Sequence, residues 1–214
     1  IPGEWQMWVF VVFILLSPSL VVYFNMHGPN PVDGACDNLS GITIAHEVVK
    51  NFADPANKGK STLKNTRLKF VSFGSEETGL TGSTCYVKAQ LKELKAEKAH
   101  LVNIDSIRVP EELCIIKSEL MNGTKFDPNL ISRLQKSFGD KNIFIKTGST
   151  PIGGTDGVPF QRAGIPAVSI VGLGMGKLDP TYHTRLDVVS NLNEQALLNT
   201  KNGLVEFVKQ WDAQ

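Results

Sequence analysis

Cysteine is scarce in this chain. Its 214 residues hold three, Cys36, Cys85 and Cys114, an odd number with neither CxxC nor CxxH spacing. That excludes a disulfide framework and a thiolate zinc site, and the three read as small buried hydrophobes. An excess of either charge is lacking too, since 22 lysines and arginines against 21 acids leave a net +1. Neither a nucleic-acid footprint nor an acidic tail is present, so no nucleic-acid partner is expected. No Gly-x-Ser-x-Gly elbow occurs, which removes the serine-hydrolase arrangement. His46-Glu47 opens like HExxH, but Lys50 stands where the second histidine belongs, and His46 reads as a surface residue. Gly172-Leu173-Gly174-Met175-Gly176-Lys177 looks like a phosphate loop, yet Leu178-Asp179-Pro180 follows it in place of the helix N-terminus such a cradle needs. Nucleotide binding is excluded on that ground.

What is present begins with an uncharged run. Trp5 to Phe24 has about the 20 residues that a bilayer crossing needs. Trp5, Trp8, Tyr23 and Phe24 sit at its ends like an interfacial aromatic belt, and Ser17-Pro18-Ser19 is a tolerable kink. A signal peptide fits less well, because a basic leader and a small-residue cleavage site are missing. The sequence therefore predicts a membrane-spanning segment and a membrane-associated protein, with too little flanking charge to orient it. Residues 1–31 form this span and a Gly-Pro linker; residues 32–214 are long enough for one domain with a substantial core. The chain starts at Ile1 rather than at methionine, and is expected to be a piece of something longer.

Within 32–214, apolar residues at Ile42, Ala45, Val48, Val49 and Phe52 have helical spacing, with Asp37 or Asn38 as N-cap. Arg67 to Phe73 alternates as a strand and stops at Gly74-Ser75-Glu76-Glu77. A helix follows through Tyr86, Val87, Leu91 and Leu94, then a strand over 100–106 that ends on Asp105-Ser106. Further strands are expected over 113–116, 142–146 and 166–171, helices from Asp127-Pro128 and over 193–211, and a flexible glycine-rich loop over 148–157. Alternating strands and helices indicate an α/β domain, three layers αβα around a mostly parallel mixed sheet. Ligands in such sheets sit at the carboxyl ends of the strands, where Glu76, Glu77 and Asp105 fall.

Two adjacent acids at a strand end are stable when solvated or when a cation holds them. Gly34-Ala35-Cys36-Asp37-Asn38-Leu39-Ser40-Gly41, Phe73-Gly74-Ser75-Glu76-Glu77-Thr78-Gly79-Leu80-Thr81-Gly82-Ser83, Asn103-Ile104-Asp105, Gly154-Thr155-Asp156 through Gly164-Ile165-Pro166-Ala167, and Tyr182-His183-Thr184 follow one another in order. Together they resemble the successive blocks of the zinc-dependent aminopeptidases with two co-catalytic metals, a zinc exopeptidase family that also takes in glutaminyl cyclases and transferrin-receptor-like domains. The resemblance runs from about Asp33 to the C-terminus. It implies that Asp37 bridges two zinc ions, that Glu77 and His183 complete one and Asp105 binds the other, and that Glu76 is the general base. It further implies hydrolysis at the N-terminus of a peptide or protein by a metal-bound water. Hard oxygen donors with a histidine suit zinc, and a glutamate beside the water can pass its proton to the leaving amine. Asp156 and Asp187 are expected behind the ligands, orienting them or the substrate, with surface or capping roles as the alternative.

One block is missing. The family carries a His-x-Asp strand upstream of the bridging aspartate, and no His-x-Asp occurs here. Either His27, the one histidine before Asp37, takes that place, or the ligand lies upstream of Ile1 and the domain lacks its N-terminal part. In the second case two zinc ions are expected in the full-length protein and one in this piece, which would then be weakly active or inactive. The missing histidine leaves a single-zinc, glutaminyl-cyclase-like acyltransferase open, and a non-catalytic binding domain on the same fold is a third reading.

Overall fold

The structure is a computed structural model that describes residues 3–25, 31–172 and 181–214. It divides into two compact units, Ile1–Asp33 and Gly34–Gln214. In the first, the uncharged run forms helix α1, Glu4–Asn25. The expected membrane span finds no support: among the described residues no helix is long and apolar enough to cross a membrane.

The second unit follows the expected alternation. Helix α2 (Gly41–Asn51) leads to a short hairpin, β1 (Ala53–Asp54) and β2 (Lys60–Ser61), and then to α3 (Thr81–Ala96) and β3 (Leu101–Asp105). Strand β4 (Cys114–Glu119) and β5 (Thr124–Lys125) precede α4 (Pro128–Asp140), β6 (Lys146–Thr150), α5 (Gly157–Arg162), β7 (Ala167–Val171) and α6 (Glu194–Asp212). Two helices start as sequence chemistry dictates. Asp127 accepts a hydrogen bond from Leu130 N at 2.8 Å with Pro128 behind it, and Asn193 accepts from Gln195 N at 2.8 Å.

The sheet runs β3-β7-β4-β5, with β6 also on β4. Pairs β3–β7 and β4–β6 are parallel; β4 is antiparallel to β7 and β5. Every residue of β7 is buried, which is why it reads as an apolar run interrupted only by Ser169 rather than as an alternating one. Helix α2 packs on α6 and α6 on α4, while α3 packs on α5. The α4–α6 contact leaves no spare room: a Cβ on Gly203 would lie 2.4–2.6 Å from the ring of fully buried Phe138. Gly203→Ala is expected to destabilise the protein by about 1–3 kcal/mol, the usual cost of overpacking, read as a lower urea midpoint with an unchanged slope.

Three expectations need correction. Residues 67–73, expected as a strand, form no regular element and make no backbone hydrogen bond to a strand among the described residues. The strand expected over 142–146 lies at Lys146–Thr150, because Ile143 folds back to close α4, donating its N–H to Phe138 O at 2.9 Å and burying its side chain. Gly148 to Thr150 pair with β4, so the glycine-rich stretch is loop only over 151–156. There Gly157 serves close packing, since a Cβ would meet Ser169 Oγ at 2.8 Å and the Phe126 ring at 2.9 Å. None of the three cysteines forms a disulfide; Cys36 and Cys114 are buried and Cys85 is exposed.

Candidate metal centre

The centre is assembled from three turns at the carboxyl end of β3 and its neighbours. Gly34, at φ 61, opens a tight turn over Ala35–Ser40 whose backbone leaves helical values at Asp37 and Asn38, and a side chain on Gly34 would press on Asp37 O at 2.9 Å. Asn38 stitches this turn to β3: its amide donates to Ile104 O at 3.0 Å, while Oδ1 accepts from Gly41 N at 3.0 Å and Ser106 N at 3.3 Å. Asn38 therefore caps the start of α2, and Asp37 is left to face the cleft. Ser40 Oγ adds a second stitch, donating to Cys36 O at 2.6 Å and accepting from Ile107 N at 3.0 Å. From the far end of the chain, buried Asp187 accepts the N–H of Cys36 at 2.6 Å on one oxygen and that of Asp37 at 3.1 Å on the other.

Ser75, at φ 57, turns the chain between 67–73 and the acid pair. Gly79 N and Leu80 N then close on Glu76 O at 3.0 and 2.8 Å, leading into α3. At the end of β3, Ser106 is left-handed (φ 53) and its hydroxyl donates to Asp105 Oδ1 at 2.9 Å. His183 is left-handed as well (φ 56), with the Tyr182 ring stacked on it at 3.8 Å. Non-glycine residues with positive φ cost local energy and gather where side chains must be aimed.

Three of the expected residues meet. His183 Nε2 lies 3.2 Å from Asp37 Oδ2 and 2.7 Å from Glu77 Oε1, and one donor atom from each of the three lies within 4.8 Å of the others. Two carboxylates and an imidazole are a donor set that zinc accepts. Asp105 and Glu76 stand beside this group rather than in it. Burial, together with Asp105, Glu77, Asp156 and Asp37, pushes the Glu76 carboxyl up to about 8. Burial and then Asp37 push Asp105 up to about 7, against the pull of the Ser106 hydroxyl. Glu77 is raised mainly by burial, and His183 is raised mainly by its hydrogen bond to Asp37. Such crowding of acids is what a divalent cation relieves. Asp156 is buried, raised by burial against a hydrogen bond from Ser83, and its Oδ1 has no hydrogen-bond partner among the described residues.

Sequence reasoning missed Glu119. It is fully buried at the end of β4, accepting Thr155 Oγ1 at 2.7 Å, Thr155 N at 3.3 Å and Asn122 Nδ2 at 3.0 Å, and so fixes the loop that carries Asp156. The available signal was an acid closing an apolar strand, the pattern that marked Asp105. His27, and 173–177 of the rejected phosphate loop, lie outside the described residues. His46 is exposed, as expected, and His100 is exposed against Trp211.

The model of peptidase family M28 matches residues 19–208. Aminopeptidase YwaD of Bacillus subtilis is 29% identical over 168 residues, covering 77% of this chain and 34% of YwaD. The solved zinc aminopeptidase BSAP from Bacillus subtilis superposes with a TM-score of 0.67 at 22% identity, over 84% of this chain and 42% of its own. The LapA aminopeptidase of Legionella pneumophila gives 0.67 at 21% identity, over 85% and 48%. The mixed α/β fold is thus shared with zinc aminopeptidases, and the chain spans less than half the length of each of these relatives.

Proposed function

Since this chain belongs to peptidase family M28, we propose that it carries the catalytic centre of a zinc exopeptidase that removes residues from the N-terminus of peptides. The observation that carries this reading is the convergence of Asp37, Glu77 and His183 to within 4.8 Å. These three would hold one zinc ion, and Asp105 would help Asp37 hold a second. When bound, zinc supplies Lewis-acid polarisation of the scissile carbonyl and acidifies water. Glu76 would take the proton of the attacking water and deliver it to the leaving amine. Asp187 orients Asp37 through the backbone N–H groups of the turn, and Asp156 stands behind Glu76 and Asp105.

A single-zinc, glutaminyl-cyclase-like acyltransferase is the second reading, favoured by there being one three-donor group among the described residues. Zinc stoichiometry separates the two. Two equivalents per full-length protein with release of N-terminal residues from peptides are expected; one equivalent per full-length protein with cyclisation of N-terminal glutamine would establish the second reading, and no bound zinc would defeat both.

A further inference from the structure

Glu119, a fully buried acid outside the three-donor group, is tied to two neighbouring segments. One of its oxygens accepts Thr155 Oγ1, and the other accepts both Thr155 N and Asn122 Nδ2. The ties run further. Asn122 Nδ2 also donates to Gly153 O at 2.8 Å, and Thr155 Oγ1 lies 2.6 Å from Ser169 Oγ on β7. One carboxyl thereby joins the end of β4, the turn before β5, the 151–156 loop and β7. Apolar side chains would fill this space without the cost of burying a carboxyl, which burial pushes toward its protonated form. A satisfied buried network instead fixes one arrangement, and here it fixes a loop without regular structure of its own.

That loop leads to the turn that carries Glu76. A Cβ on Gly154 would lie 2.7 Å from Asn122 Nδ2 and 3.4 Å from Leu80 Cδ1, so the loop is seated between this amide and Leu80. Two residues on, Asp156 meets the hydroxyl of fully buried Ser83 in the first turn of α3. Ser83 Oγ donates to Leu80 O at 3.1 Å, and Leu80 N donates to Glu76 O at 2.8 Å. Glu76 stands outside the three-donor group, so its own surroundings must hold it.

We propose that Glu119 is a positioning residue for peptide hydrolysis: by anchoring the 151–156 loop against Leu80 and Ser83, it holds the Glu76 turn where proton transfer requires it. The proposal rests on the reading of Glu76 as the base.

The test is steady-state kinetics of the zinc-saturated, full-length protein on an aminoacyl-nitroanilide. Glu119→Met removes the acceptors at similar size and is expected to lower kcat on the order of 10–100-fold with KM nearly unchanged, since misplacement by about an ångström costs that much. Glu119→Gln is expected to keep most of the activity: its oxygen accepts Thr155 N and Asn122 Nδ2, while its amide donates to Thr155 Oγ1, whose hydroxyl turns to Ser169. In a Glu76→Gln background Glu119→Met is expected to cost nothing further, because residues that act through one group are not additive. A merely structural loss would multiply with it. Equal losses in both backgrounds, equal losses in Glu119→Gln and Glu119→Met, a rise in KM alone, or full kcat in Glu119→Met each overturn the proposal. Should Glu119→Met not fold, Asn122→Ala, at a half-buried position, removes one tie and is judged by the same comparison with Glu76→Gln. An unsubstituted protein that releases no N-terminal residue defeats the reading of Glu76 and the proposal with it, whereas an active protein indifferent to these substitutions defeats the proposal alone.

Discussion

Glu76→Gln is expected to lower hydrolysis of an aminoacyl-nitroanilide by about 10²–10⁴-fold, the range lost with a general base, while zinc content stays unchanged. Glutamine keeps the shape and one acceptor oxygen of glutamate but cannot take up a proton. Glu77 touches His183 at 2.7 Å, whereas Glu76 lies outside the three-donor group, the separation that the proposed roles of ligand and base require. The loss would not reflect unfolding. In the metal-free fold Glu76 is raised from 4.5 to about 8. A carboxyl with a raised folded-state pKa favours the fold fully below its unfolded value, and that contribution fades as pH climbs through the folded value. At pH 7 to 8 the substitution therefore removes a group whose ionisation weakens the fold. Loss of zinc together with activity would make Glu76 a ligand, and full activity in the variant would place the base elsewhere.

What could be read from the sequence was what local chemistry decides. Helices α4 and α6 declare themselves through Asp127-Pro128 and Asn193, each with a capping bond in place. Strand β7 is visible because a strand covered on both faces is mostly apolar, here in all but Ser169. Residues 67–73 have the alternation of a strand, but a strand also requires a neighbour, and local pattern carries no information about one. The 142–146 expectation failed for a related reason: Ile143 is as suitable for closing a helix as for opening a strand, and tertiary packing against Phe138 decides.

The centre divides in the same way. Asp37, Glu77 and His183 were identifiable as residue types in ordered blocks, and they meet. Glu119 offered only the signal of an acid closing an apolar strand, because its role depends on Thr155, a partner 36 positions away that no spacing rule connects to it. The hold of Asp187 on the Asp37 turn was equally hidden, since it runs through backbone N–H groups and not through a side-chain motif.

That hold carries the second large effect. Asp187→Ala is expected to weaken zinc affinity about 10–100-fold, as loss of a group that orients a metal ligand does. Both oxygens of Asp187 are engaged, each accepting a backbone N–H on the turn that presents Asp37, and such charge-assisted bonds are the stronger kind. Gly34 begins that turn in a left-handed conformation, so the backbone at 35–37 depends on its contacts to stay in place. Truncation releases the turn and lets the Asp37 carboxylate move away from Glu77 and His183. Asp187→Asn keeps one acceptor oxygen and is expected to fall between the two, with hydrolysis recovering as zinc is raised. Competition of the variants with a chromogenic chelator measures the affinity directly. Zinc affinity unchanged in Asp187→Ala with hydrolysis lost at every zinc concentration would mean that Asp187 acts on the substrate, and the positioning role would have to be abandoned.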